Sequence, residues 1–263
     1  MHKRLSKSPI SYVLAQIRFT SIESIKKYIP EIQDKIRHDF PIFQKITIHA
    51  LEMREDGQPS PSIIHQWHFM DKDSVTGILL DGKSITIHTS KYDQFDGLIS
   101  KLKKALGDMN EILNISLFVR LGVRYINIVE NNLDEYIKKG LLGFHLEGKS
   151  FDKNKYLVNS ELTQKSSRGL IRVKSTLFGS KEIISGQPNV LIPPELFNVA
   201  NYLSFVHHNQ PKDKFLMLDI DHSDETKGDF EIEKVISGLK DLQDAAYQAF
   251  HEAVTEKALK IWQ

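Results

Sequence analysis

The sequence predicts an α+β protein in which mostly antiparallel sheets are covered by helices and the C-terminal helix is long. In residues 115–130, apolar side chains recur at every second position, which is the period of a strand with one buried face. The dipeptide Asp81-Gly82, between two apolar segments, is a strong hairpin signal. Apolar residues at helical spacing in 94–113 and 230–262 predict amphipathic helices. The alternating side chains of 115–130 are Leu117, Val119, Leu121, Val123 and Tyr125.

Residues 1–130 predict the element order β-α-β-β-β-β-α-β, and the short connections favour antiparallel pairing. Ser21 is expected to cap a helix that runs to about His38, in which Pro30 indicates a kink or two short helices. A turn is predicted at 55–57 together with Pro59 and Pro61. Strands are expected at 10–19, 45–54, 63–70, 75–80, 84–89 and 115–130.

Residues 131–263 are less regular. Helices are predicted at 133–139 and 193–207, and strands at 156–163, 169–178 and 215–221. The last helix is expected to run from about Phe230 to Trp262, a length of about 50 Å at about 1.5 Å per residue. Because residues 1–130 and 131–263 show a similar order of elements, they are predicted to form two α+β halves or one continuous domain.

The composition is that of an ordinary globular protein. Of 263 residues, 26% are charged and 40% hydrophobic, and the net charge is +1, so no bulk charge attracts nucleic acid or a membrane. The chain has no cysteine, which excludes disulfides, thiolate metal sites and a cysteine nucleophile. It shows neither an apolar run of about 18 residues nor a signal-peptide pattern, so we expect a cytoplasmic protein without a membrane span.

Two stretches match the phosphate-binding pattern GxxxxGK[ST]: 77–84 (GILLDGKS) and 143–150 (GFHLEGKS). Such a loop lies between a strand and a helix, because the N–H groups at the helix start hold the phosphates. In the first match the residues on both sides continue as strands, so Gly82 is interpreted as part of a hairpin turn. The second match follows a predicted helix and precedes a poor helix start. We therefore predict no nucleotide cofactor.

Histidines and alternating carboxylates are the candidates for a metal site. His65 and His68 lie on opposite faces of one predicted strand because their spacing is odd, so they do not share an ion. Asp219 and Asp221 share a strand face and are weak candidates for binding a divalent cation; the alternative is an outward acidic face. Since HExxH, GxSxG and a Ser/His/Asp set are not recognised, no catalytic residue is predicted.

The strongest signal is a set of basic residues on the polar sides of predicted strands. If these strands share one sheet, the side chains converge on a positive surface, where the planar guanidinium group suits a phosphate or a carboxylate. Arg120 and Arg124 lie about 13 Å apart on one strand, at about 3.3 Å per residue. The alternative is that they pair with Asp and Glu across the strands. The predicted anion- or ligand-binding residues are Arg18, Arg120, Arg124, Arg172 and Lys174.

The last predicted helix carries one apolar stripe. A stripe of this kind packs on its own sheet or pairs with another chain. A protein partner or a homo-oligomer through this helix is therefore predicted, and nucleic acid is a further candidate through the basic residues. The stripe consists of Ile232, Val235, Ile236, Leu239, Leu242, Ala246, Ala249, Phe250, Ala253 and Val254.

Several segments together resemble a family of conserved hypothetical prokaryotic proteins of about this length that is sporadically distributed. The most specific segment is 120–127 (RLGVRYIN), supported by 15–19 (AQIRF), 219–221 (DID) and Ala249-Phe250 near the C-terminus. The chain departs from the family at Ala245, where the resemblance leads us to expect histidine. The resemblance implies no activity, and its scattered distribution implies accessory, defence or toxin–antitoxin loci.

The function predicted from these observations is that of a non-catalytic binding or protein-interaction module. One alternative is a module that binds a nucleotide or nucleic acid through the basic residues. The other is a metal-dependent phosphoryl or phosphodiester enzyme that uses Asp219 and Asp221.

Overall fold

Antiparallel strand pairing organises the fold. The computed structural model describes residues 5–53, 57–130, 132–142, 157–179 and 214–263. Within these residues, ten strands form one antiparallel sheet, and five α-helices accompany it. The predicted α+β class, with antiparallel strands covered by helices, is confirmed.

The sheet runs in the order β2-β3-β4-β5-β1-β6-β9-β8-β7, and the short strand β10 pairs with the start of β6. Strand β6 is central because it pairs with β1 on one edge and with β9 on the other. The strands are β1 Ile10–Phe19, β2 Ile42–Met53, β3 Pro59–Met70, β4 Thr76–Asp81, β5 Ser84–Thr89, β6 Leu117–Val129, β7 Leu157–Lys165, β8 Leu170–Phe178, β9 Phe215–Asp224 and β10 Gly228–Asp229.

The helices lie on one face of the sheet, which we name the helix-covered face. Their buried side chains join one large core with strand residues such as Val13, Leu121 and Ile220. Each side chain of this kind contributes about 1.5–3 kcal/mol when it is fully buried. The helices are α1 Ile29–Ile36, α2 Phe95–Leu113, α3 Leu133–Tyr136, α4 Ile232–Ala253 and α5 Glu256–Trp262, with 3-10 helices at Ile25–Tyr28 and Lys139–Leu141.

The opposite side of the sheet, named the second face, carries the alternate residues of the same strands, among them Gln16, Arg124 and Asp219. Its two apolar clusters contain strand residues and no residue of the described helices. One is built on Leu14 and Leu79, and the other on Ile126, Phe178, Phe215 and Met217. The second face is therefore partly apolar and partly charged.

The alternation predicted for β6 is confirmed over most of the strand. Leu121 and Val123 are fully buried on the helix-covered face. The pattern fails at the start, because the register between β1 and β6 shifts by one residue between Phe118 and Arg120. As a result Phe118 is buried and Leu117 is 38% exposed, so the prediction that Leu117 faces inward is wrong.

The C-terminal segment forms two helices rather than the single helix predicted over 230–262. Helix α4 ends at Ala253, and Val254 adopts an extended conformation and bridges Ile137. Thr255 then caps α5 by accepting a hydrogen bond from the Ala258 N–H at 3.3 Å. The apolar stripe of α4 is buried against β6 and β9, so it packs on its own sheet, which is one of the two predicted outcomes.

Smaller differences have local causes. Ser21 caps no helix; its hydroxyl donates to Glu23, and Pro30 opens α1 after a 3-10 helix, as two short helices require. Pro59 and Pro61, expected in a turn, lie in β3 and pair with β2. A strand tolerates proline there because β4 pairs only with the later part of β3. The predicted helix 193–207, most of the predicted turn 55–57 and the match at 143–150 lie outside the described residues.

Both parts of the chain contribute to the same sheet. Strands β1 to β6 come from residues 1–130 and β7 to β10 from residues 131–263, and they join where β6 pairs with β9. The predicted hairpin at Asp81-Gly82 is confirmed, with β4 and β5 on either side of it. None of the described helices is long and apolar enough to cross a membrane.

Candidate functional site

The second face of the sheet carries all five predicted basic residues. They lie on β1, β6 and β8, while β9, between β6 and β8, adds two carboxylates to the same face. Arg18 is the direct cross-strand partner of Arg120, and Lys174 is that of Asp219. We name this surface the basic strand face; it is defined by Arg18, Arg120, Arg124, Arg172 and Lys174.

A bidentate ion pair lies at the centre of the basic strand face. Arg124 of β6 donates from Nε and Nη2 to the two carboxylate oxygens of Asp219 on β9, at 2.8 and 2.6 Å. Their side chains are only 19% and 8% exposed. This geometry is the strong, planar form of the arginine–carboxylate interaction. Asp219 is therefore engaged by a guanidinium group, which is the cross-strand pairing that the sequence left open.

A buried glutamine holds the second pair of arginines. The side-chain oxygen of Gln16, which is 3% exposed, accepts from Arg120 Nη1 at 2.9 Å and from Arg18 Nε at 3.2 Å. Its amide nitrogen donates to the Thr86 hydroxyl at 3.1 Å, which fixes the direction of the oxygen. Two guanidinium groups thus converge on one neutral oxygen.

Gly122 makes this convergence possible. It is the cross-strand partner of Gln16, and a Cβ atom at Gly122 would lie 2.9 Å from Arg120 Nη1 and 3.3 Å from its Cζ. The Arg120 side chain therefore lies along its own strand, across the glycine, to reach Gln16. The sequence alone does not reveal this role of Gln16, because the role depends on contacts among three neighbouring strands.

Towards the edge of the sheet the basic strand face becomes a solvated surface. Arg172 pairs with Glu161 at 3.0 Å, and the two side chains are 55% and 48% exposed. Exposed pairs of this kind contribute about 0–1 kcal/mol. Lys174 is half-buried and makes no ion pair with the described residues. Within the basic strand face, the arginines on β1 and β6 are thus the residues whose contacts differ from an ordinary exposed ion pair.

Known proteins give no further guide. No family model, no curated protein and no solved structure matches this chain.

The geometry gives no support to a metal centre at the acidic strand. Among the described residues, no group of three or more His, Asp or Glu side chains is arranged to hold a metal ion. Asp219 is occupied by Arg124, and Asp221 is the cross-strand partner of both Arg124 and Arg172. Asp219 therefore accepts hydrogen bonds from an arginine, and Asp221 lies beside two arginines in the register of the sheet.

A serine–histidine contact is the arrangement most like a catalytic pair. The Ser166 hydroxyl lies 2.7 Å from Nε2 of His222, in the turn between β7 and β8. Both ring nitrogens of His222 also lie 2.8 Å from backbone carbonyl oxygens, of Leu242 in α4 and of Arg168 in the turn. Because His222 is 0% exposed, its ring fastens the turn and β9 to α4 and does not face a substrate.

Proposed function

We propose that this chain is a non-catalytic binding module that recognises a carboxylate or phosphate group through Arg18 and Arg120 of the basic strand face. The observation that carries the proposal is the shared contact of Arg18 and Arg120 with the single oxygen of Gln16. Arg120 Nε also lies 3.8 Å from Glu225, whose side chain is 81% exposed. An exposed ion pair of this kind contributes about 0–1 kcal/mol.

The electrostatics of this pair favour an anion. Both bonding nitrogens reach one oxygen, so they lie within about 6 Å of each other, and two like charges at that separation repel by about 3 kcal/mol at an effective dielectric constant near 20. A bound anion offsets this repulsion because it makes an attractive contact with each of the two arginines. Gln16, itself fixed by Thr86, holds both side chains in place before the anion arrives.

The binding test uses inorganic phosphate, pyrophosphate and citrate as probes. Isothermal titration and thermal shift are expected to detect binding of at least one of them by the wild-type protein. Arg18→Met and Arg120→Met should each weaken that binding about 10- to 100-fold, since a charge-assisted hydrogen bond contributes about 1.5–3 kcal/mol.

Arg172→Met is the matched control, because Arg172 lies on the same face in an exposed pair with Glu161. It should leave the affinity within about twofold of wild type, as expected for an exposed pair. If none of the three anions binds, or if the three arginine variants lose affinity equally, the proposal is wrong.

The two other function classes, nucleic-acid binding and metal-dependent phosphodiester hydrolysis, are tested by separate assays. A nucleic-acid binder loses affinity steeply between about 50 and 200 mM salt, because phosphate contacts release counterions. Fluorescence anisotropy with a single-stranded oligonucleotide at both salt concentrations tests this. An Mg²⁺-dependent phosphodiesterase would hydrolyse bis(p-nitrophenyl) phosphate and lose that activity in Asp221→Asn. Membership of the prokaryotic family, a cytoplasmic location and a protein partner remain predictions.

A further inference from the structure

Two histidines from different hairpins meet on the second face, away from the basic strand face. His68 of β3 and His88 of β5 flank β4, and their Nε2 atoms lie 2.7 Å apart. Each residue is 1% exposed. His68 and His65 do lie on opposite faces of one strand, as the spacing predicts, but the partner of His68 is a histidine 20 residues further along.

Gly77 of β4 forms the floor between the two histidines. It is the direct cross-strand partner of Met70 on β3 and of His88 on β5. A Cβ atom at Gly77 would lie 2.2 Å from Met70 Sδ, 2.7 Å from His68 Nε2 and 2.9 Å from His88 Nε2. One sulfur and two nitrogens therefore surround a single point above the glycine, and any larger residue would displace them.

The three donor groups share one property, which is that none of them carries a charge. Both imidazoles are buried, and burial disfavours the charged form of the ring, so each is a neutral group that keeps a lone pair. A thioether is a neutral, soft donor. The set formed by His68, His88 and Met70, which we name the His–His–Met cluster, thus carries no charge.

The neighbours of the His–His–Met cluster on β1 and β4 are apolar or aromatic. Leu14 is the cross-strand partner of His88, and Leu79 is that of His68. The Tyr12 ring stacks on His88 with a centroid separation of 5.6 Å. A neutral donor set in apolar surroundings favours a monovalent ion, because the desolvation cost of a buried charge rises steeply with the charge.

Hydrogen bonding alone does not account for the burial of His68. The contact with His88 uses one ring nitrogen, and Nδ1 of His68 is buried without a hydrogen-bond partner. Leaving such a group unsatisfied costs about 1–3 kcal/mol. A neutral hydrogen bond contributes about 0.5–1.5 kcal/mol, and a metal–nitrogen bond at Nε2 would offset more of that cost.

We propose that the His–His–Met cluster binds a soft monovalent metal ion of the Cu(I) class through His68 Nε2, His88 Nε2 and Met70 Sδ. Trigonal coordination with metal–nitrogen bonds of about 2.0 Å places two nitrogens about 3.5 Å apart. Compared with the 2.7 Å separation, binding moves the two rings apart by roughly 0.8 Å, a small rotation about their side-chain torsions. This inference is independent of the anion proposed for the basic strand face.

The test is an anaerobic titration of the chelator-stripped full chain with Cu(I), using bathocuproine disulfonate as the competing ligand. One Cu(I) per chain is expected to resist the competitor, while Zn²⁺ added in the same way should not raise the melting temperature. X-ray absorption of the Cu(I) form should show one sulfur at about 2.3 Å and two nitrogens at about 2.0 Å. This spectrum tests the site in the wild-type protein, whatever the variants do to folding.

Variants separate the cluster from the other histidines and methionines. His88→Gln and Met70→Leu should each weaken Cu(I) binding at least about 10- to 100-fold. His65→Gln, on the opposite face of β3, and Met217→Leu, a buried methionine elsewhere on the second face, are the controls and should bind Cu(I) like wild type. Absence of competitor-resistant Cu(I), a spectrum without sulfur, or equal binding by Met70→Leu and wild type would overturn the proposal.

Discussion

Replacing Arg124 should lower the free energy of unfolding, because it leaves the buried carboxylate of Asp219 without its arginine. In Arg124→Met, Asp219 keeps a side chain that is only 8% exposed and loses two hydrogen bonds, of 2.8 and 2.6 Å. Breaking a buried pair from one side costs about 3–5 kcal/mol, and because Arg124 is 19% exposed we expect a value near the lower limit, about 3 kcal/mol. The free energy of unfolding is measured in urea by the fluorescence of the buried Trp67 and Trp262.

The double variant Arg124→Met/Asp219→Leu should recover most of this loss. Replacing a buried ion pair by apolar side chains is often neutral, so we expect it within about 1 kcal/mol of wild type. The coupling energy between the two sites is then at least about 2 kcal/mol. The exposed pair of Arg172 and Glu161 is the control, with an expected coupling below about 1 kcal/mol. If the two cycles give equal couplings, the assignment of a buried pair is wrong.

Three further predictions concern local geometry. Gly169→Ala should destabilise the fold by at least about 2 kcal/mol, because φ is +80° and the new Cβ would lie 2.0 Å from a carbonyl oxygen of β9. Gly107→Ala in α2, where a Cβ meets no atom within 4 Å, should instead stabilise it by about 0.8–1 kcal/mol; equal urea midpoints would contradict both. Burial raises the pKa of Asp224, but hydrogen bonds from Thr226 and from Arg168 outweigh burial and hold that pKa below its usual 3.8. The stabilisation it provides is thus present above about pH 4 and lost as pH falls, so Asp224→Asn should cost about 1–2 kcal/mol at pH 7 and less at pH 3.5. A pH-independent difference would contradict this.

The local pattern of the sequence predicts the individual strands and helices but not which strands lie side by side in the sheet. Apolar side chains at every second position in β6, and at helical spacing in α2, reflect which side of each element is buried, so both elements follow from the residues alone. The placement of β1 between β5 and β6, and of β9 beside β6, depends on pairings between distant segments. Those pairings are not encoded in any short stretch.

For the basic strand face, the sequence predicts the side of each strand on which the basic residues lie but not their partners. Alternation places Arg120 and Arg124 on the side opposite Leu121, and the structure agrees. It does not distinguish the bidentate partner of Arg124 from the shared glutamine of Arg120, because both depend on register across strands. The His–His–Met cluster left one signal in the sequence: Gly77 interrupts an apolar strand, which often marks a close approach of neighbouring groups. Without the strand order, that glycine looks like the start of a phosphate-binding loop.

The two faces of the sheet have different physical roles. The helix-covered face buries apolar side chains in the main core, and this burial accounts for the stability of the fold. The second face buries Gln16, His68, His88 and Asp219, although none of the described helices covers it. Buried polar groups of this kind add little net stability, as the expected near-neutrality of Arg124→Met/Asp219→Leu illustrates. We propose that these groups serve binding rather than stability. An Arg18→Met/Arg120→Met variant that folds like wild type but no longer binds an anion would separate the two roles directly.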